Sequence, residues 1–112
     1  MKKITLSYYQ DPGHGWIKVP LKLIGTLGIE DKITRYSYMR GLFAYLEEDC
    51  DAATLFKAAD AIGLKIVLRE YHTNKQSKIR SYASYLYKMQ DNQDFMHWLK
   101  DNGKLQFITI GV

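Results

Sequence analysis

The clearest pattern of apolar and polar positions lies in residues 42–71, LFAYLEEDCDAATLFKAADAIGLKIVLREY. Residues 42–46 form a short apolar and aromatic run, which predicts a strand with both faces covered. Glu47, Glu48, Asp49 and Asp51 follow, and Asp51 is placed to cap a helix that begins at Ala52. Ala52, Leu55, Phe56, Ala59 and Ile62 recur at helical spacing and predict one apolar stripe, closed by Gly63 in the left-handed conformation. From Leu64 the period becomes two, with Leu64, Ile66 and Leu68 on one face and Lys65, Val67 and Arg69 on the other.

The same alternation predicts a first strand over residues 3–9, where Ile4, Leu6 and Tyr8 oppose Thr5, Ser7 and Tyr9. Asp11-Pro12-Gly13-His14-Gly15 is a turn, and residues 16–19 are the return strand of a hairpin. Pro20 suits the first turn of a helix that carries Leu21, Leu23, Ile24 and Leu27 and stops at Gly28. Residues 33–39 alternate again and turn at Arg40-Gly41 into the strand at 42–46. Residues 64–73 and 78–82 flank the polar loop Asn74-Lys75-Gln76-Ser77 and predict a third hairpin. Helical spacing resumes at Ala83 and predicts helix over about 84–101, and residues 104–110, KLQFITI, form a last strand. The predicted order is ββα ββα ββα β. It describes one small α+β domain, residues 1–112, with a mostly antiparallel sheet built from hairpins and helices on one face.

Composition narrows the class. With 112 residues, 46% hydrophobic and 25% charged, the chain can bury one core and is too apolar to be disordered. No stretch approaches the roughly 20 apolar residues of a membrane-spanning helix. The start, MKKITLSYYQ, alternates as a strand does and is not a signal peptide. Cys50 stands alone, which excludes an internal disulfide and fits a reducing cytoplasm. The net charge of +4 is unevenly spread: four acids fall within residues 47–51, and both flanking segments are basic. A basic balance permits a polyanionic partner without requiring one.

The strings YYQDPGHGW (residues 8–16), IKVPLKLIGTLGI, and RYSYMRG with YLEEDCDA resemble a family of small uncharacterised proteins carried by bacterial phages and plasmids. The resemblance covers residues 5–72, roughly two thirds of the chain, and leaves out the tail after Tyr82. It implies a mobile-element accessory protein in the cytoplasm of a bacterial host. Such genes often encode inhibitors of host defence, which implies a host protein as the partner. Separately, Ile17-Lys18-Val19-Pro20 followed by Leu27-Gly28-Ile29 is similar to the swapped-hairpin transcription factors that bind DNA as dimers. Those domains continue with Gly-Asp, whereas Glu30-Asp31-Lys32 stands here.

Five groups of residues are candidates for chemistry or binding. The acidic corner of Glu47, Glu48 and Asp49 presents charge to a basic partner or, with Asp11 and His14, offers oxygen and nitrogen ligands to a divalent ion, although the spacing matches no metal motif. The simpler reading is a solvated helix start. The loop Asp11, His14, Trp16 holds an imidazole able to move protons but lacks a neighbouring nucleophile. The carboxylates around Cys50 raise its thiol pKa, so it reads as a small buried apolar residue at the strand–helix corner.

The segment YHTNKQSKIRSYASYLYK, residues 71–88, has no acid. Lys75, Lys78, Arg80, Tyr82, Tyr85 and Lys88 there combine phosphate-neutralising cations with stacking rings, as single-stranded nucleic-acid sites do. Tyr36, Tyr38 and Arg40 supply residue types enriched at protein interfaces. No cofactor motif is present. The expectation is thus a non-enzymatic protein that binds a host macromolecule, with nucleic acid as the alternative target and a small metal-dependent hydrolase or nucleotide-binding protein as a second alternative. No membrane partner is expected, and the last strand either pairs internally or offers an edge for a homodimer.

Overall fold

The computed structural model describes residues 2–86. Lys2–Gln10 (β1) and Gly15–Pro20 (β2) form the first hairpin, and Leu21–Leu27 (α1) follows directly. Tyr38–Arg40 (β3) and Phe43–Glu47 (β4) form the second hairpin, Ala52–Ala61 is the second helix (α2), and Leu64–His72 is a long strand (β5). A 3₁₀ turn, Lys78–Ser81, and the short Ala83–Ser84 (β6) complete the described chain. The six strands form one mixed sheet in the order β5-β1-β2-β4-β3-β6. Four of the pairings are antiparallel, and β5 runs parallel to β1 in register from Lys2↔Leu64 to Gln10↔His72.

That parallel pairing explains the helices. β4 has the direction of β1, because each is antiparallel to β2, so passing from β4 to β5 requires a crossover, which α2 supplies. In the same way α1 carries the chain from β2 over β4 to β3. Both helices lie on one face and touch each other. Between them and the sheet sit Leu6, Ile17, Val19, Leu23, Ile24, Ala44, Leu46, Leu55, Ala59 and Leu64, all buried. A fully buried aliphatic side chain such as Leu46 or Leu55 contributes about 2 kcal/mol. Gly28 and Gly63 close the two helices at φ of 69° and 72°, where a Cβ would be strained. No helix among the described residues is long and apolar enough to cross a membrane.

Several expectations are corrected. The strand expected over residues 33–39 shrinks to Tyr38–Arg40, because the Asp51 carboxylate holds Thr34 and Ser37 in a turn. Asp51 occupies the position before α2 but does not cap it; its side chain is spent on those two residues, and only its carbonyl accepts from Leu55 N. Phe56 and Ile62 of the expected stripe are exposed, and so is Leu42, so the buried face of α2 narrows to Ala52, Leu55 and Ala59. The third hairpin does not form: β5 pairs with β1, and 78–81 is a 3₁₀ turn laid across the other face. Ala83–Ser84 pairs with β3 as a strand, not as the start of a helix. The helix expected to about residue 101, the strand at 104–110 and Lys88 lie outside the described residues. β2 takes both of its neighbours, β1 and β4, from its own chain.

Candidate functional site

The loop between β1 and β2 is organised by one carboxylate. Asp11 Oδ1 accepts from the backbone N–H groups of Gly13 and His14, both at 3.0 Å, which closes the turn. Its Oδ2 accepts from Ser77 N at 2.9 Å, and Arg80 donates to both oxygens, from Nε at 2.7 Å and Nη2 at 2.9 Å. This bidentate pair pulls the 3₁₀ turn onto the sheet. The Asp11 side chain is wholly buried. The Arg80 guanidinium, followed by the Ser77, Gly13 and His14 amides, outweighs that burial and holds the carboxyl well below the usual range. Asp11 therefore belongs to the scaffold. At Gly15 a Cβ would come within 2.6 Å of the Tyr8 ring, so a larger residue there would have to displace the Tyr8 side chain.

His14, exposed on this loop, meets the end of β4. Its Nδ1 lies 3.2 Å from Glu47 Oε2, and Glu47 Oε1 accepts from Asp49 N at 2.8 Å and Cys50 N at 3.0 Å. Ligand atoms of His14, Glu47 and Asp49 all lie within 4.8 Å of one another. Glu48 points elsewhere: its carboxylate accepts from the Tyr8 hydroxyl, and its N–H donates to Gly15 O at 3.0 Å. Burial, then the Glu48 acceptor, pushes the Tyr8 phenol up. Of the five residues expected to converge, the structure brings together three.

Cys50 is exposed, which corrects the buried apolar reading: the corner turns its side chain outward. Local desolvation, followed by Glu47 as acceptor and the charges of Glu47, Asp51 and Asp49, pushes the thiol up. Alkylation of Cys50 by iodoacetamide at pH 8 is expected to go to completion but more slowly than that of free cysteine, in a mass-spectrometric time course.

The face of the sheet opposite the helices carries the second constellation. Trp16, Tyr45 and Ile79 are buried there beneath the 3₁₀ turn, with Tyr9, Tyr38, Phe43 and Tyr82 half-buried around them. Tyr82 meets Tyr45 edge to face at 5.1 Å, and Arg80 lies 5.4 Å from the Trp16 ring. Beyond this cover, strand register places Lys3 beside Lys65, Thr5 beside Val67, Ser7 beside Arg69, and Tyr9 beside Tyr71 on the same face. Tyr9 and Tyr71 stack at 5.2 Å. Lys18 Nζ sits 4.3 Å over Phe43, and Arg40 lies 5.0 Å from the Tyr82 ring. A cleft of about 240 Å³ opens between Tyr9, Lys18, Tyr45, Lys78 and Tyr82. By the same alternation Glu47 is the one acid of the described strands on this face, and it is buried against His14.

The expected nucleic-acid residues divide. Lys75 and Lys78 are exposed and Tyr82 is half-buried at the cleft, whereas Arg80 is committed to Asp11. Tyr85 is buried, and its hydroxyl donates to Glu30 O at 2.6 Å, so it serves the core. The expected protein-binding residues are dispersed: Tyr36 is exposed in the 34–37 turn, Tyr38 packs edge to face on Trp16, Arg40 covers Tyr82, and Glu47 is buried. Sequence reasoning missed Lys3, Lys18, Lys65, Arg69, Tyr9 and Phe43 as one surface. Their alternation was visible, but only the strand pairings β1–β2, β2–β4 and the parallel β1–β5 join them.

Compared with known proteins, the chain matches no family model, no curated protein and no solved structure.

Proposed function

We propose that this protein binds single-stranded nucleic acid on the open face of its sheet. One observation carries the reading: Lys3, Lys18, Arg40, Lys65, Arg69 and Lys78 share that face with Tyr9, Tyr71, Phe43 and Tyr82, and no exposed acid of the described strands interrupts them. Lys3 and Lys65 lie side by side in the β1–β5 register, and a bound polyanion would neutralise both. Cations follow a phosphate backbone while partly exposed rings stack on unpaired bases, a combination that suits single strands more than duplexes. The family resemblance implies a mobile-element setting; within it the proposed target is a nucleic acid in place of a host-defence protein.

The test is fluorescence anisotropy with labelled single- and double-stranded oligonucleotides at about 50 and 200 mM salt. About four phosphate contacts would make single-strand affinity fall roughly fifty-fold over that range. The exposed double replacement K65E/R69E is expected to weaken binding tenfold or more and to flatten the salt dependence. Absence of binding at low salt, or an unchanged affinity in the double variant, overturns the reading. Capture of a protein partner through Tyr36 under those conditions would restore the host-protein alternative.

A further inference from the structure

We infer that His14, Glu47 and Asp49 form a binding site for one first-row divalent transition ion of the Zn²⁺ class. Two ligand atoms that share such an ion at 2.0–2.2 Å lie about 3.0–3.4 Å apart, and His14 Nδ1 and Glu47 Oε2 are already separated by 3.2 Å. The Glu47 carboxylate is held in place before any ion arrives. Its other oxygen is fixed by the Asp49 and Cys50 amides, and its own backbone N–H donates to Ser37 Oγ at 2.9 Å. His14 is fixed through its backbone by Asp11. Asp49 is exposed, with an oxygen within 4.8 Å, so a side-chain rotation completes three protein ligands and leaves positions for water or a phosphate oxygen.

A second observation lies beside this corner. Trp16 lies opposite Glu47 in strand register, and its ring centroid is 6.1 Å from that of His14. Its indole N–H is buried without an acceptor among the described residues. A buried donor of this kind is costly to leave unmade. One imidazole with two carboxylates selects a borderline ion such as Zn²⁺ over Mg²⁺ or Ca²⁺, which prefer an all-oxygen shell.

The experiment is calorimetric titration of the full chain with ZnCl₂, with MgCl₂ as the hard-ion control, together with ¹H–¹⁵N spectra. One Zn²⁺ per chain is expected, with the largest shifts at His14, Gly15 and Asp49 and no heat from Mg²⁺ at the same concentration. The exposed replacements H14Q and D49N should each weaken Zn²⁺ at least tenfold, the lower bound seen on losing even an outer partner of a ligand. Glu47 is left intact because its carboxylate also holds two amides. No saturable zinc heat, or zinc affinity unchanged in both variants, overturns the site and leaves a His14–Glu47 ion pair only. Because the readout is zinc alone, the result is separable from the nucleic-acid proposal.

Discussion

Replacing Asp11 with alanine is expected to lower stability by about 3 kcal/mol, since removal of one partner from a buried, hydrogen-bonded ion pair typically costs that much. At roughly 4 °C per kcal/mol for a domain near this size, Tm should fall by about 12 °C. The cost has several parts that share one side chain. Arg80 loses its bidentate acceptor, Ser77 N the carboxylate it donates to, and the Gly13 and His14 amides the oxygen that closes the hairpin loop. The 3₁₀ turn should then lift from Trp16 and Tyr45, and hydrogen exchange at Ser77 and Arg80 should speed up. Arg80→Ala should cost somewhat less, about 2 kcal/mol, because the backbone amides still serve the remaining carboxylate. A double-mutant cycle would measure the coupling.

The same carboxylate sets an acid limit. Its pKa in the folded chain is depressed below the unfolded value of about 3.9. Its stabilisation is therefore complete above that value and disappears as pH falls through the folded value. Melting curves from about pH 7 to pH 2.5 should show the gap between wild type and Asp11→Asn narrowing only below about pH 4. A gap that stays constant down to pH 2.5 would mean that the pair does not stabilise the fold through its charge.

The second large effect is expected at Asp51. This carboxylate is fully buried and accepts from Thr34 N at 3.0 Å, Thr34 Oγ1 at 2.9 Å and the Ser37 hydroxyl. Asp51→Ala would leave the buried Ser37 hydroxyl and the half-buried Thr34 donors unpaired, with a loss of about 3 kcal/mol measured by urea unfolding. Asp51→Asn keeps one acceptor oxygen and should lose about half as much. If alanine costs less than 1 kcal/mol, the network is not what fixes the 34–37 turn. A functional consequence follows from Ser37, whose Oγ also accepts from Glu47 N. Loosening Asp51 should therefore weaken Zn²⁺ binding at the His14 corner as well, although no metal ligand is touched.

Both carboxylates show where local reading stops. Asp in a Pro-Gly turn and Asp before an alanine-rich helix are correctly placed by local chemistry, and the turn and the helix do form there. What each oxygen binds is a different matter. Asp11 reaches residue 80 and Asp51 reaches residue 34, partners chosen by which segments the sheet brings alongside. Nothing in the spacing of either stretch announces them.

The pattern of apolar residues by itself determined β1 and β5 (alternation), β2 and β4 (short apolar runs) and both helices (helical spacing), together with the glycines that end α1 and α2. Those features rest on burial of one face and on backbone conformation, which are local properties of the chain. Only the tertiary structure decided that β5 pairs in parallel with β1 rather than folding back into a hairpin. That pairing depends on α2 crossing the sheet, so it sets Lys65, Arg69 and Tyr71 beside Lys3, Ser7 and Tyr9 and creates the basic aromatic face. Tertiary packing likewise selected three ligand side chains from the five named in the loop and acidic corner. It did so because Asp11 and Glu48 found stronger partners in Arg80 and Tyr8, and a competition between distant groups cannot be settled within either segment.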